Sequence, residues 1–162
     1  MPDQETYDKL NELLKNARIG MLTTMTPNGK HVSRPMGLQA TEFDGDLWFF
    51  TYEDSSKVQE ITNNPEVNVS FSDTGSSSWV SLTGTAEVVN DMSKAEQLWN
   101  PLLKAWFPEG IETPGLTLLK VHADSAEYWD SQSNKAVQLF GVLKAAITGN
   151  PLDGGDNQTL KL

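Results

Sequence analysis

Cysteine is absent from this 162-residue chain, and histidine occurs only as His31 and His122. The first absence excludes a disulfide framework, a thiolate nucleophile and a cysteine-based zinc site. Neither histidine has a second histidine or patterned carboxylates at ligand spacing, so no metal motif is present. Arginine is as scarce, with Arg18 and Arg34 alone, and the formal net charge is −10. The chain therefore lacks the clustered cations with which a nucleic-acid surface neutralises phosphates. No apolar run approaches the ~20 residues that span a bilayer. The start, Met1-Pro2-Asp3-Gln4-Glu5, is acidic and has no basic segment leading into an apolar one, so the expected compartment is the cytoplasm. Glycine-rich dinucleotide and phosphate loops are missing, as is a serine nucleophile elbow, and the many carboxylates are scattered.

What remains is ordinary for a globular protein, with 38% hydrophobic and 21% charged residues in a length that suits one domain. The most informative stretch is Leu47 to Ile61. Leu47 to Tyr52 is apolar and aromatic and is bounded by acidic turn residues, which predicts a buried strand. Asp54-Ser55-Ser56 supplies three residues suited to capping a helix, and Val58 and Ile61 continue with helical spacing. A strand that runs straight into a helix start presents free N–H groups that favour an anion. Lys57 falls in that first turn, where the helix dipole opposes a cation by roughly 0.3–1 kcal/mol. A bound phosphate reverses that penalty; a merely capped helix with a solvated lysine is the alternative.

Elsewhere, residues 4 to 17 predict an amphipathic helix through Leu10, Leu13 and Leu14. Ile19 to Thr26 and His31 to Thr41 predict two strands joined by a Pro27-Asn28-Gly29 turn. Pro35 cannot donate to a strand ladder, which points to an edge, a bulge or a different neighbour. Further strands are expected over Glu66 to Ser72, Trp79 to Val89 and Leu116 to Trp129, with Gly84 marking a bulge or close approach. A helix capped by Asp91 is expected to be interrupted by Pro101 before an aromatic loop at 104–110. Asn134 to Thr148 predicts a C-terminal helix. The domain is thus drawn over 1–148, with 149–162 a mobile tail. Strands joined mainly by hairpins predict a mainly β fold: an antiparallel six-stranded barrel with flanking helices.

Two cationic positions stand out. Arg34 lies in a strand, and is either a surface residue or a ligand clamp, arginine being the side chain best shaped to hold a phosphate. Lys57, with Ser55 and Ser56, forms a second locus; if the strands of Arg34 and Thr51 were hairpin neighbours, the two would meet at one sheet edge. Trp106, in a loop, and Trp129, at a strand end, are placed to stack on a planar ligand or to pack in a core.

The order of "SRPM", "LWFFTYEDSSK", "VNVSFSD", "WVSLTGTAEVV", "WNPLLKAWFPEG" and "AEYWD" resembles the FMN-binding split barrel of the pyridoxamine 5′-phosphate oxidase superfamily, and within it the general stress protein branch. The resemblance implies FMN as cofactor and a homodimer with flavin sites at the subunit interface. It implies that Arg34, Ser55, Ser56 and Lys57 meet the flavin phosphate, and that Pro35, Met36, Phe50 and Thr51 line the flavin. Trp129, and less directly Trp106, match aromatics contributed by the neighbouring subunit. In the true oxidase an arginine and a histidine near the C-terminus hold the substrate; Asp130 to Leu162 contains neither. The resemblance therefore implies an oxidoreductase of unknown substrate and disfavours pyridoxamine phosphate oxidation. A non-catalytic flavin-binding sensor, or a split barrel with haem or deazaflavin, are the alternatives it leaves.

Overall fold

The computed structural model describes residues 3–131, 146–149 and 156–162. Helix α1 (Gln4–Asn16) begins at Asp3, whose carboxylate accepts the N–H of Thr6 at 2.9 Å, and it buries Leu10, Leu13 and Leu14. This is an N-cap placed one turn ahead of an apolar stripe. The strands are β1 (Ile19–Met25), β2 (His31–Gly37) and β3 (Asp46–Tyr52), followed after helix α2 (Ser56–Asn63) by β4 (Glu66–Asp73) and β5 (Ser78–Val89). Helix α3 (Met92–Leu98) and two 3₁₀ turns, Pro101–Ala105 and Gly110–Glu112, precede the long β6 (Leu116–Asp130) and the terminal β7 (Asp156–Lys161).

All strand pairs are antiparallel, in the order β2-β1-β4-β5-β6-β3, with β7 also on β6. Six strands curl into the expected half-barrel. Strands β2 and β3, the two ends of that path, are not hairpin neighbours. Curling brings them near each other, and the N–H of Gln39 donates to the carbonyl of Trp48 at 3.0 Å just beyond β2. Pro35 sits on β2, which pairs with β1 alone, so its missing N–H costs no ladder bond. The strand stops at Gly37 rather than continuing to Thr41.

Gly84 sits where the β5–β6 register shifts, and a Cβ there would lie 1.9 Å from the backbone oxygen of His122. The sequence expectation of close approach is met by backbone against backbone. The main core runs from the buried face of α1 through Leu22, Phe49, Val69, Phe71, Leu82, Leu119 and Val121. A smaller cluster of Phe50, Phe107 and Leu118 lies on the opposite face of β3.

Helix α3 ends at Leu98, and a 3₁₀ turn restarts at Pro101 with Asn100 as its cap. Proline is suited to a first helical turn and unsuited to an interior, which explains the break. The expected C-terminal helix over 134–148 lies largely outside the described residues; Ala146 to Thr148 are helical. The expected mobile tail is corrected in part: residues 156–161 pair with Ser125 to Asp130 of β6. Leu160 and Leu162 pack against the main core. A free ladder edge on β6 and two leucines among polar residues outweigh the local Gly/Asn/Asp composition. No described helix is long and apolar enough to cross a membrane.

Candidate functional site

Alternation along β3 sorts its side chains. Leu47 and Phe49 enter the main core, and Thr51 follows on that face, itself buried. Trp48, Phe50 and Tyr52 face the other way, under the segment that follows α3. Trp99 meets Phe50 edge-on at 5.5 Å, Phe107 packs on Tyr52 at 4.9 Å, and the Tyr52 hydroxyl donates to the carbonyl of Trp106 at 2.9 Å. These contacts hold the aromatic loop as one wall of a cleft of about 460 Å³. Pro35, Met36, Phe50, Thr51, Lys57 and Trp106 all line it, joined by Ile19, Gln39, Leu103 and Phe107.

Of the charged groups at this end, Lys57 is in the cleft's lining, and Arg34 and Glu60 stand outside it. On β2, Met36 points into the core and Arg34, two residues earlier, shares its face, opposite Leu22 of β1. One terminal nitrogen of Arg34 donates to the Thr24 hydroxyl at 2.6 Å and to the carbonyl of Leu22 at 3.3 Å; the other lies 3.4 Å from the Glu60 carboxylate. Thr24, fully buried, in turn donates to the same Glu60 oxygen at 2.6 Å. On α2, the Lys57 ammonium donates to the Thr51 hydroxyl at 3.1 Å. Burial pushes the Lys57 pKa down from its usual value, the Arg34 charge pushes it further, and Glu60 partly restores it. Lys57 thus stands in the lining of a mostly apolar cleft, with the Arg34 charge near enough to act on it from outside that lining.

The caps differ from expectation. Ser55 occupies the N-cap of α2, but its side chain makes no cap bond and lies instead 3.4 Å from the Thr51 hydroxyl. The first turn of α2 is left without a side-chain cap, and Ser56 is exposed at its start. Ser55 and Lys57 therefore meet at Thr51, whereas Arg34 is held by Thr24, Leu22 and Glu60, and none of Arg34, Ser55 and Ser56 lines the cleft. Trp106 is 64% exposed at the cleft's rim. Trp129 is not in this cleft: it stands opposite Trp79 across the β5–β6 ladder, and both are partly exposed.

Glu60 and Thr24 escaped the sequence reading, yet both left a signal. Glu60 stands three residues after Lys57 on one helix, a spacing that brings side chains together. Thr24 alternates with Leu22 on the core face of β1. A second, larger cleft of about 600 Å³ lies between α1 and residues 38–47. It sets Asp8, Glu12, Glu42 and Asp46 against Lys15 and Arg18, so carboxylates outnumber cations and an anion is disfavoured there.

A family model described as pyridoxamine 5′-phosphate oxidase like matches residues 5–153. The chain belongs to this pyridoxamine 5′-phosphate oxidase-like family. Among its relatives is protein bli-3 of Neurospora crassa, 31% identical over an alignment covering 93% of this chain and 77% of that protein. General stress protein 26 of Bacillus subtilis is 26% identical, over 86% of this chain and 99% of that one. A crystal structure from Xanthomonas citri, described as a general stress FMN/FAD binding protein, is 30% identical with a TM-score of 0.70, covering 82% of this chain and 93% of that one. The oxidase-like family thus accounts for the split-barrel sheet, and its match spans the whole of the cleft just described.

Proposed function

We propose that this chain is an FMN-binding flavoprotein, acting in the cytoplasm as a homodimer and serving as an oxidoreductase of unknown substrate. The observation that carries the reading is Lys57, under the influence of the nearby Arg34 charge, at one end of a cleft whose other walls are Pro35, Met36, Phe50 and Trp106. Like charges at that end oppose each other, and a phosphate would relieve both. Arg34, Lys57, Ser55 and Ser56 would hold that phosphate; Thr51, Met36 and Phe50 would lie along the ring. A volume of about 460 Å³ falls within the usual range for cofactor pockets. A bound flavin supplies hydride or electron transfer, and the protein supplies position, electrostatics and exclusion of water.

The dimer is supported by the outer face of the sheet. Gly20 pairs with Phe71, Ser72 with Trp79, and Trp79 with Trp129, so an outward row leads from Ile19 at the cleft towards both tryptophans. Ile19, Met21, Trp79 and Trp129 are all exposed at 37% or more. Aromatics and methionine are enriched in interface cores, and a second copy seated on this row would bring Trp129 to its neighbour's cleft.

One observation favours a non-catalytic flavin-binding sensor as second reading. No histidine or carboxylate lines the cleft among the described residues, so no side chain there is an evident acid or base. The test begins with the absorbance of freshly purified protein, where bands near ~450 nm are expected and a Soret band would refute FMN. Sedimentation is expected to give a dimer; a monomer at micromolar concentration with undiminished flavin affinity refutes it. Multiple turnover with reduced nicotinamides and a panel of quinones or nitro compounds separates enzyme from sensor.

A further inference from the structure

Beside the proposed phosphate end of the cleft, outside its lining, is a group that opposes a phosphate. Glu60 is 9% exposed, lies on α2 one turn from Lys57, and accepts both the Thr24 hydroxyl and a terminal N–H of Arg34 on the same oxygen. A buried carboxylate beside two cations lowers the charge of the group from +2 to +1. Arg34 spends three of its contacts, to Thr24, Leu22 and Glu60, within the protein. We infer that Glu60 is a specificity-determining residue, an internal counter-anion that stabilises the empty cleft and holds back affinity for a doubly charged phosphate.

The inference rests on the phosphate reading of the cleft and adds a sign to it. When the cleft is empty, Glu60 partners Arg34 and offsets the mutual repulsion of Arg34 and Lys57, the same effect by which it raises the affinity of Lys57 for its proton. When a phosphate monoester enters, it carries about two negative charges near neutral pH and meets Glu60 as a like charge. A unit-charge pair closer than about 10 Å in a protein-like dielectric changes an equilibrium by more than about tenfold. The carboxylate thus trades cofactor affinity for the integrity of the unfilled protein. A residue that merely held Arg34 in place would do the opposite to affinity, because its removal would release the clamp.

The isosteric Glu60→Gln keeps acceptors for Thr24 and Arg34 and deletes the charge. Flavin-free wild-type, Glu60→Gln, Glu60→Asp and Lys57→Ala proteins are titrated with FMN and with riboflavin, and their melting is followed without ligand. Glu60→Gln is expected to bind FMN roughly tenfold or more tightly, to bind riboflavin unchanged, and to melt a few degrees lower when empty. Glu60→Asp, which keeps the charge, is expected to retain the wild-type ratio of FMN to riboflavin affinity. Weaker FMN binding by Glu60→Gln, or an equal change for both flavins, overturns the inference. If wild-type protein shows no preference for FMN and Lys57→Ala changes none, the phosphate reading itself fails. If that preference exists and Lys57→Ala narrows it while Glu60→Gln does not widen it, the role of Glu60 alone fails.

Discussion

Replacing Lys57 with alanine should weaken the cofactor and spare the fold, two effects that rarely separate. The ammonium sits in the first turn of α2, is partly buried, and has the Thr51 hydroxyl as its hydrogen-bond acceptor at 3.1 Å. A hydrogen bond between charged groups contributes roughly 1.5–3 kcal/mol, so loss of the contact to a flavin phosphate should cost about ten- to a hundredfold in FMN affinity. Riboflavin lacks the phosphate and should bind as before. For the empty protein the balance runs the other way. Burial and the Arg34 charge both disfavour the protonated amine, and the helix dipole opposes it by roughly 0.3–1 kcal/mol. Glu60 and Thr51 offset part of this. Urea unfolding of the flavin-free variant should therefore give unchanged or slightly higher stability. The sign can be checked by pH. The unfolded lysine holds its proton up to about its ordinary pKa of 10.5, and the folded one releases it earlier. Between those two pKa values the unfolded state binds more protons, so wild-type stability gains an increment as pH rises that the variant lacks. An equal loss for FMN and riboflavin, or an empty variant less stable by more than about 1 kcal/mol, would refute this electrostatic account.

Arg34→Ala should lose both affinity and stability, because it strands Glu60 as a buried carboxylate; with Arg34 a fifth exposed and the pair at 3.4 Å, about 1–3 kcal/mol in urea unfolding is expected. Arg18→Ala is the control, and FMN titration should leave it at wild-type affinity. Gly84→Ala should cost at least about 2 kcal/mol and lower the melting temperature by several degrees, since the clash at 1.9 Å is with the backbone of His122 and no side chain can yield. Ending the chain before Asp156 should remove about 1–3 kcal/mol of burial by Leu160 and Leu162 and expose the β6 edge, read as a lower melting temperature with more aggregation.

The local reading of the chain carried far where one physical cause dominates. Apolar alternation placed β1, β4, β5 and β6, and the leucine stripe placed α1, because burial of one face decides both. Pro35 and Gly84 announced an edge and a close approach because each residue type tolerates a backbone situation others do not. The cleft residues from Pro35 to Lys57 were legible for a different reason, their ordered likeness to a family the chain belongs to. Composition misled at the C-terminus, where an open ladder position on β6 recruits residues 156–161. Capping propensity misled at Ser55, whose hydroxyl turns towards Thr51. Only the curl of the sheet could bring β2 and α2 together, and with them Arg34, Thr24, Lys57 and Glu60. Their mutual charges are a property of distance through space, which spacing along a chain does not contain. The sequence by itself thus determined most of the elements that form and how few the cationic side chains are; the tertiary fold decided that two of them, Arg34 and Lys57, share a buried carboxylate as neighbour.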